Sequence, residues 1–120
     1  MRSSARRTLA GAGVALLAAC SSVTVIDDSA PAIAASDCRV TVHQTYNQAI
    51  QRGPIEELCV IDGTSSGSFS HTVATAIKKH KDKACACGAR DVYIQSQTRS
   101  GLDVATVTLV AFRYRNPQSQ

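Results

Sequence analysis

The fold is decided by the stretch Ala84-Cys85-Ala86-Cys87-Gly88, which places two cysteines at the end of the longest helical pattern in the chain. We predict this helix over residues 70–87, with Ser70 as the N-cap and Gly88 as the residue that ends it. Apolar positions recur along it at intervals of three and four residues, which is the spacing of one buried helix face. These positions are Val73, Ala76, Ile77, His80, Ala84 and Cys87.

The two cysteines need partners elsewhere in the chain. On a helix Cys85 and Cys87 are about 200° apart, so they cannot bond each other. The helix returns towards the start of the preceding strand, where Cys59 lies, and Cys38 lies before an earlier strand. We therefore expect two disulfides and favour Cys38–Cys85 with Cys59–Cys87. The reverse pairing is almost equally compatible with this geometry.

Four strands are predicted around the main helix, over residues 39–46, 57–62, 91–97 and 104–114. A short helical turn is expected at 47–52, and a Gly/Ser turn at 63–68. This order of elements predicts an α+β fold in which a small sheet of about four strands packs on one main helix. The second and third strands should run parallel through a crossover, and the last two should form a hairpin.

The N-terminal segment has the features of an export signal. Three arginines precede an apolar run that is too short to cross a bilayer, and this run ends in Leu17-Ala18-Ala19-Cys20. These four residues resemble the lipobox of bacterial lipoproteins, in which the cysteine is lipidated and becomes the first mature residue. We predict a signal peptide over 1–19 and a lipid on Cys20. Export through either the general or the twin-arginine pathway stays open.

Residues 21–37 are predicted to be a flexible tether that reaches at most ~60 Å when fully extended. A short strand at 23–26 is the alternative. The domain is expected over 38–115, and the polar tail 116–120 is expected to be disordered. After Cys20 the chain has ten Lys and Arg against nine Asp and Glu, a net charge of +1, which does not favour a nucleic-acid partner. The lysines at 78, 79, 81 and 83 are interpreted as a solvated face, with contact to anionic lipid or glycan as the alternative.

Three features of the sequence carry residue types that occur in catalytic sites. Residues 63–67 match G-x-S-x-G around Ser65, but no acid lies between Ser65 and the histidines that follow, so a hydrolase is a distant alternative. Glu56 and Glu57 are adjacent in a strand and should face opposite ways. His43 is expected to be a surface histidine without a partner.

A metal site is the main alternative to the two disulfides. Cys85, Cys87 and His80 carry thiolate and imidazole groups of the kind that bind zinc. In an exported protein unoccupied thiols oxidise, which favours disulfides over metal. We therefore expect no catalytic residues, no bound metal and no cofactor.

Six short segments between residues 38 and 114 follow a shared order: Arg39-Val-Thr-Val-His, Asn47-Gln-Ala-Ile, Ile61-Asp-Gly-Thr, Ala74-Thr-Ala-Ile, Ala84-Cys and Gly88-Ala-Arg-Asp-Val-Tyr-Ile. In these segments the chain resembles the RcsF family of small envelope lipoproteins. It implies an α+β domain stapled by two disulfides on a lipid anchor, and a role in sensing through envelope partners. The only functional residue that carries over is the lipid-bearing Cys20. By the rule of such lipoproteins, Ser21 implies the outer membrane, facing the periplasm.

These observations together predict a non-enzymatic, lipid-anchored envelope protein that binds another envelope component.

Overall fold

The computed structural model describes residues 21–66, 72–100 and 104–115. Within these ranges the chain forms a five-stranded mixed sheet with short helices on both faces, so the predicted α+β class is confirmed. The strands are β1 (Ser21–Val25), β2 (Thr41–His43), β3 (Ile55–Ser66), β4 (Asp91–Ser100) and β5 (Val104–Tyr114). The helices are α1 (Tyr46–Ile50), α2 (Val73–His80) and α3 (Lys83–Ala86), with a 3-10 turn at Ala35–Asp37. The predicted signal peptide, Cys20, the N-cap at Ser70 and the tail 116–120 lie outside the described residues.

The sheet has the strand order β1-β3-β5-β4-β2. The last two strands pair antiparallel, as predicted, and β2 pairs parallel with β4. β3 and β4 point the same way, as the crossover argument requires, but β5 lies between them and is antiparallel to both. β5 takes the centre because its eleven residues combine β-branched and aromatic side chains, which suit a strand that is covered on both faces.

Alternate residues of β5 build two separate cores. One face of the sheet, here called the helical face, packs against α2 and α3 and holds a cluster of small and aliphatic side chains that includes Ala76, Val92, Val107 and Leu109. The opposite face, here called the aromatic face, packs against α1. Its buried cluster consists of Ala49, Tyr93, Val110, Phe112 and Tyr114.

The predicted tether is wrong for the residues that follow Cys20. Ser21 to Val25 form β1, which pairs antiparallel with β3, so the alternative of a short strand was the better one. The chain then stays on the domain, because the Ile26 and Asp27 amides donate to the Leu58 carbonyl and the Ile33 amide donates to the Cys85 carbonyl. The β3 edge offered unpaired backbone groups, and pairing them outweighs the weak local pattern of this segment. No spacer therefore separates residue 21 from the domain.

The Gly/Ser segment that was predicted as a turn belongs to β3. Residues 63–66 pair in register with β5 as far as Ser66 opposite Val104. The long partner strand overrides the low strand propensity of glycine and serine. Gly63 also has a packing role, because a Cβ at this position would overlap the imidazole of His80. This glycine lets α2 lie close to the sheet.

The main helix is interrupted, in contrast to the single helix predicted. α2 begins after Thr72, whose hydroxyl accepts the Thr75 amide at 3.1 Å, and ends at His80. The amides of Ala84 and Cys85 then bond to the carbonyls of Lys81 and Asp82, three residues back, so a tight turn of the 3-10 type joins α2 to the start of α3. Gly88 ends α3 with a φ of +86°, as its predicted role requires.

Candidate functional site

The four cysteines of the domain form two disulfides at the end of α3. Cys38 bonds Cys85 and Cys59 bonds Cys87, with Sγ–Sγ distances of 2.04 and 2.10 Å. This is the pairing that the sequence favoured. Because Cys59 lies in β3 and Cys38 lies just before β2, the bridges join α3 to two distant parts of the sheet. The end of the helical layer is thus covalently held at two points.

The alternative metal site is not formed. Both of its cysteines are in disulfides, so neither offers a thiolate. The described parts of the chain contain no group of three His, Cys, Asp or Glu side chains arranged to hold a metal ion. His80, the third expected ligand, instead packs against Gly63 with 4% of its surface exposed.

His80 is held as a neutral imidazole by the groups around it. Nε2 lies 3.1 Å from the Thr64 carbonyl and Nδ1 lies 3.4 Å from Nζ of Lys83. An ammonium can only donate, so Nδ1 accepts and Nε2–H donates to the carbonyl. Burial lowers the pKa of His80, and the charges of Lys83 and Lys79 lower it further, whereas the bond to Thr64 acts in the opposite direction. His80 is therefore a core residue that fixes α2 on the sheet.

Ser65 does not occupy a nucleophile elbow. It lies within β3, opposite Ala105, and its side chain is fully buried. A nucleophilic serine must be exposed on a sharp turn between a strand and a helix. The strand geometry and the burial of Ser65 both argue against the hydrolase alternative.

Hydrogen-bond partners are present for His43, Glu56 and Glu57. His43 is not the partnerless surface residue expected, because Nε2 lies 3.0 Å from Oδ1 of Asp91 and the ring lies 5.4 Å from the Phe112 ring. His43 lies opposite Tyr93 and Asp91 lies opposite Thr41, so the parallel pairing of β2 with β4 places the two side chains diagonally across the strands. The sequence therefore had no local signal for this contact.

The adjacent glutamates bond to different neighbours. Glu56 accepts from Nε of Arg113 at 2.6 Å, and Glu57 accepts from the Tyr93 hydroxyl at 2.7 Å. Burial raises the pKa of Tyr93, and the hydrogen bond to Glu57 raises it further, so Tyr93 stays protonated and acts as a donor. The two carboxylates do not share one wall and do not form an acid/base pair.

An open groove of about 310 Å³ lies between β1 and α3. Its walls are mostly small or apolar, and Lys83, Asp27 and Asp28 are its charged members. Two of its lining residues are exposed apolar side chains, Val23 at 40% and Val25 at 57%, and the next residue, Ile26, is 53% exposed. The groove therefore continues into an apolar strip on the strand that begins directly after Cys20. We call Val23, Val25 and Ile26 the β1 strip.

The outer edge of β4 is a second accessible feature. β2 pairs only with residues 91–93 of β4, so residues 95–100 have β5 on one side and, among the described residues, no strand on the other. All six of these residues are exposed. The aromatic face next to them carries hydroxyl groups, and Thr108 donates to Oδ1 of Asp62 at 2.7 Å. This edge offers unpaired backbone groups in a polar setting.

The chain matches no protein-family model, no curated protein and no solved structure. Of the helices within residues 21–66, 72–100 and 104–115, none is long and apolar enough to cross a membrane. The candidate site is therefore defined by its own geometry: an apolar strip on β1 and a groove between β1 and α3, with α3 linked to the sheet through Cys59–Cys87. Sequence reasoning missed the strip because it assigned 21–37 to a tether, although the alternation of Ser22, Val23, Thr24 and Val25 was a strand signal.

Proposed function

We propose that this protein is a lipid-anchored component of the bacterial envelope that binds another envelope component without catalysing a reaction. The observation that carries the proposal is the joining of two features at residue 20. A lipobox-like sequence ends at Cys20, and a disulfide-linked domain begins with the next residue. A lipid on Cys20 would hold this domain at a membrane surface.

The disulfides support export to an oxidising compartment. All four cysteines after Cys20 are paired, and such bridges persist in the periplasm but are rare in the cytosol. An α+β domain with two disulfides also agrees with what the RcsF-like resemblance implies. On that basis we propose an outer-membrane location facing the periplasm and a sensing or structural role.

The outer edge of β4 supports a binding role. A polar strand edge with exposed backbone groups can accept a strand from another protein, in which case main-chain hydrogen bonds supply much of the affinity. Residues 95–100 provide such an edge on the side of the sheet away from β1. A partner could therefore bind there while the β1 side faces the membrane.

Lipidation is tested by mass spectrometry of the N-terminal peptide after expression of the full chain in a Gram-negative host. We expect a peptide that begins at Cys20 and carries a diacylglyceryl group. The matched Cys20→Ala variant should lack this group and leave the membrane fraction. An unprocessed N-terminus on a protein found in the cytosol would contradict the proposal.

Binding is tested with a photoreactive amino acid at Thr98, compared with the same label at the exposed Arg90 outside this edge. Irradiation of intact cells should give one discrete adduct from position 98 and none from position 90. The Cys20→Ala variant should lose that adduct, because the domain is no longer held at the membrane. Equal labelling from the two positions would contradict recognition by the β4 edge.

A further inference from the structure

The length of chain between the proposed lipid and the domain limits how far the domain can lie from a bilayer. β1 begins at Ser21, one peptide bond after Cys20, and is paired with β3 along its whole length. A strand rises ~3.3 Å per residue, so Val25 lies no more than about 17 Å along the chain from Cys20. A bilayer that holds the acyl chains of Cys20 must therefore lie close to the start of β1.

The β1 strip is the surface that such a bilayer would meet. Val23 and Val25 point to the same side of the strand, where they line the groove with Ala30 and Ala86. Ile26 follows Val25 in the chain and is 53% exposed. Exposed apolar residues that lie close together, rather than scattered singly, are a feature of interaction sites.

We propose that β1 lies along the membrane, with the β1 strip in the interfacial layer of the bilayer. This inference depends on the lipid proposed for Cys20. In the alternative upright orientation only the first residues of β1 would contact head groups, because the polar layer is ~5–8 Å deep on each side of the hydrocarbon core. Val25 and Ile26 would then remain in water, whereas the lying orientation removes all three apolar side chains from water.

The groups around the strip are compatible with a lipid interface. β1 is the edge strand of the sheet, and lipid head groups and interfacial water can bond its outer backbone groups. Lys83 lines the same groove and is partly buried, so its aliphatic stem can lie against apolar surface. Its ammonium donates one hydrogen to Nδ1 of His80, and the other two N–H groups can bond to a lipid phosphate. Asp27 and Asp28 follow Ile26 and also line the groove, where they place negative charge at the end of the strip.

The absence of tryptophan from the chain makes a direct test simple. Val25→Trp places a single fluorescent reporter in the strip at a position that is 57% exposed. Thr98→Trp is the matched control, on an exposed site of β4 that lies three strands away. Ile26→Trp is a second reporter in the strip. The lipidated full-length variants are placed in vesicles of phosphatidylethanolamine and phosphatidylglycerol, with and without bromine on the acyl chains.

We expect brominated lipid to quench Val25→Trp and Ile26→Trp at least twofold more than Thr98→Trp, with a blue-shifted emission for the first two. Equal quenching of all three reporters would overturn the inference. A blue shift without quenching would also overturn it, since the strip would then be covered by protein, such as a second copy of the chain. Mass spectrometry of each sample separates the two proposals. Cys20 without lipid refutes the anchor, whereas lipidated Cys20 with unquenched reporters refutes only the lying orientation.

Discussion

The helical face and the aromatic face of the sheet are held together by different means. The helical face packs small and aliphatic side chains under α2 and α3, which have only eight and four residues, and two disulfides hold its end. The aromatic face has no disulfide among the described residues, and α1 has only five residues. There, rings of Tyr93, Phe112 and Tyr114 contact one another, and the Tyr114 hydroxyl bonds to the Ala49 carbonyl.

The two faces of the sheet hold short helices in place in different ways. Helices shorter than ~12 residues are marginal on their own, so each must be held by tertiary contacts. Small side chains such as Ala76 and Ala84 bury little area, and covalent links compensate for this on the helical face. On the aromatic face each ring buries a large area and adds a specific edge contact, so no link is needed.

Removal of both disulfides should have the largest effect. By the chain-entropy estimate, loops of 28 and 47 residues each contribute roughly 4 kcal/mol. Small domains are stable by only about 5–15 kcal/mol, so replacement of all four cysteines by alanine should largely unfold the protein. Urea denaturation of the two double variants, Cys38→Ala/Cys85→Ala and Cys59→Ala/Cys87→Ala, measures each bridge separately. If each double variant lost less than about 1 kcal/mol in its free energy of unfolding, the helical face would not depend on its disulfides and the contrast between the two faces would be wrong.

Phe112→Ala should have the next largest effect, a loss of about 3–5 kcal/mol in the free energy of unfolding. Phe112 is fully buried, and its ring lies within 6.0 Å of three other rings, so the cavity would lie at the centre of the aromatic face. Leu109→Ala is the matched control, because Leu109 is equally buried on the helical face of the same strand. A larger loss from Leu109→Ala would show that side-chain packing stabilises the helical face more than the aromatic face, which would contradict the contrast drawn above.

Tyr114→Phe should cost about 1–2 kcal/mol, because it leaves the buried carbonyl of Ala49 without its 2.7 Å donor. Tyr46→Phe provides the control, since Tyr46 belongs to the same ring cluster but is 47% exposed. Thermal unfolding of the two variants compares the buried bond with an accessible hydroxyl. Similar melting temperatures would indicate that ring packing alone holds α1.

The smallest effect should be a pH dependence that arises on the helical face. The pKa of His80 is lowered by burial, so the unfolded chain takes up a proton near pH 6.5 while the folded chain does so only at lower pH. The contribution of neutral His80 is thus complete above pH 6.5 and decreases as the pH falls through that value towards the lower folded pKa. His80→Gln keeps a donor for Thr64 but cannot titrate. Its unfolding free energy should change less between pH 7.5 and 5.5 than that of the wild type, and an identical slope would exclude His80 as the source.

Much of the local structure could be predicted because its signals are local. The alternation of β5 from Val104 to Tyr114 and the end of α3 at Gly88 followed from residue spacing, whereas the sequence only favoured the observed disulfide pairing over its reverse. The errors arose where a distant partner decided the conformation. β3 extends to Ser66 because β5 is long enough to pair with it, and residues 21–25 form a strand because the β3 edge is available.

For the candidate site too, some features could be predicted from the sequence and others required the tertiary structure. The lipobox-like sequence at Cys20 and the even number of downstream cysteines could be recognised in the sequence, since both depend on residue type and order alone. The exposure of the β1 strip, the contact of His43 with Asp91 and the burial of Ser65 needed the folded chain. Each depends on which strands become neighbours, and strand pairing joins residues that are far apart in sequence. The sequence alone thus predicted a lipid anchor at Cys20 and supplied the four cysteines of the two disulfides, whereas only the tertiary structure decided which apolar side chains are exposed on the strand that follows.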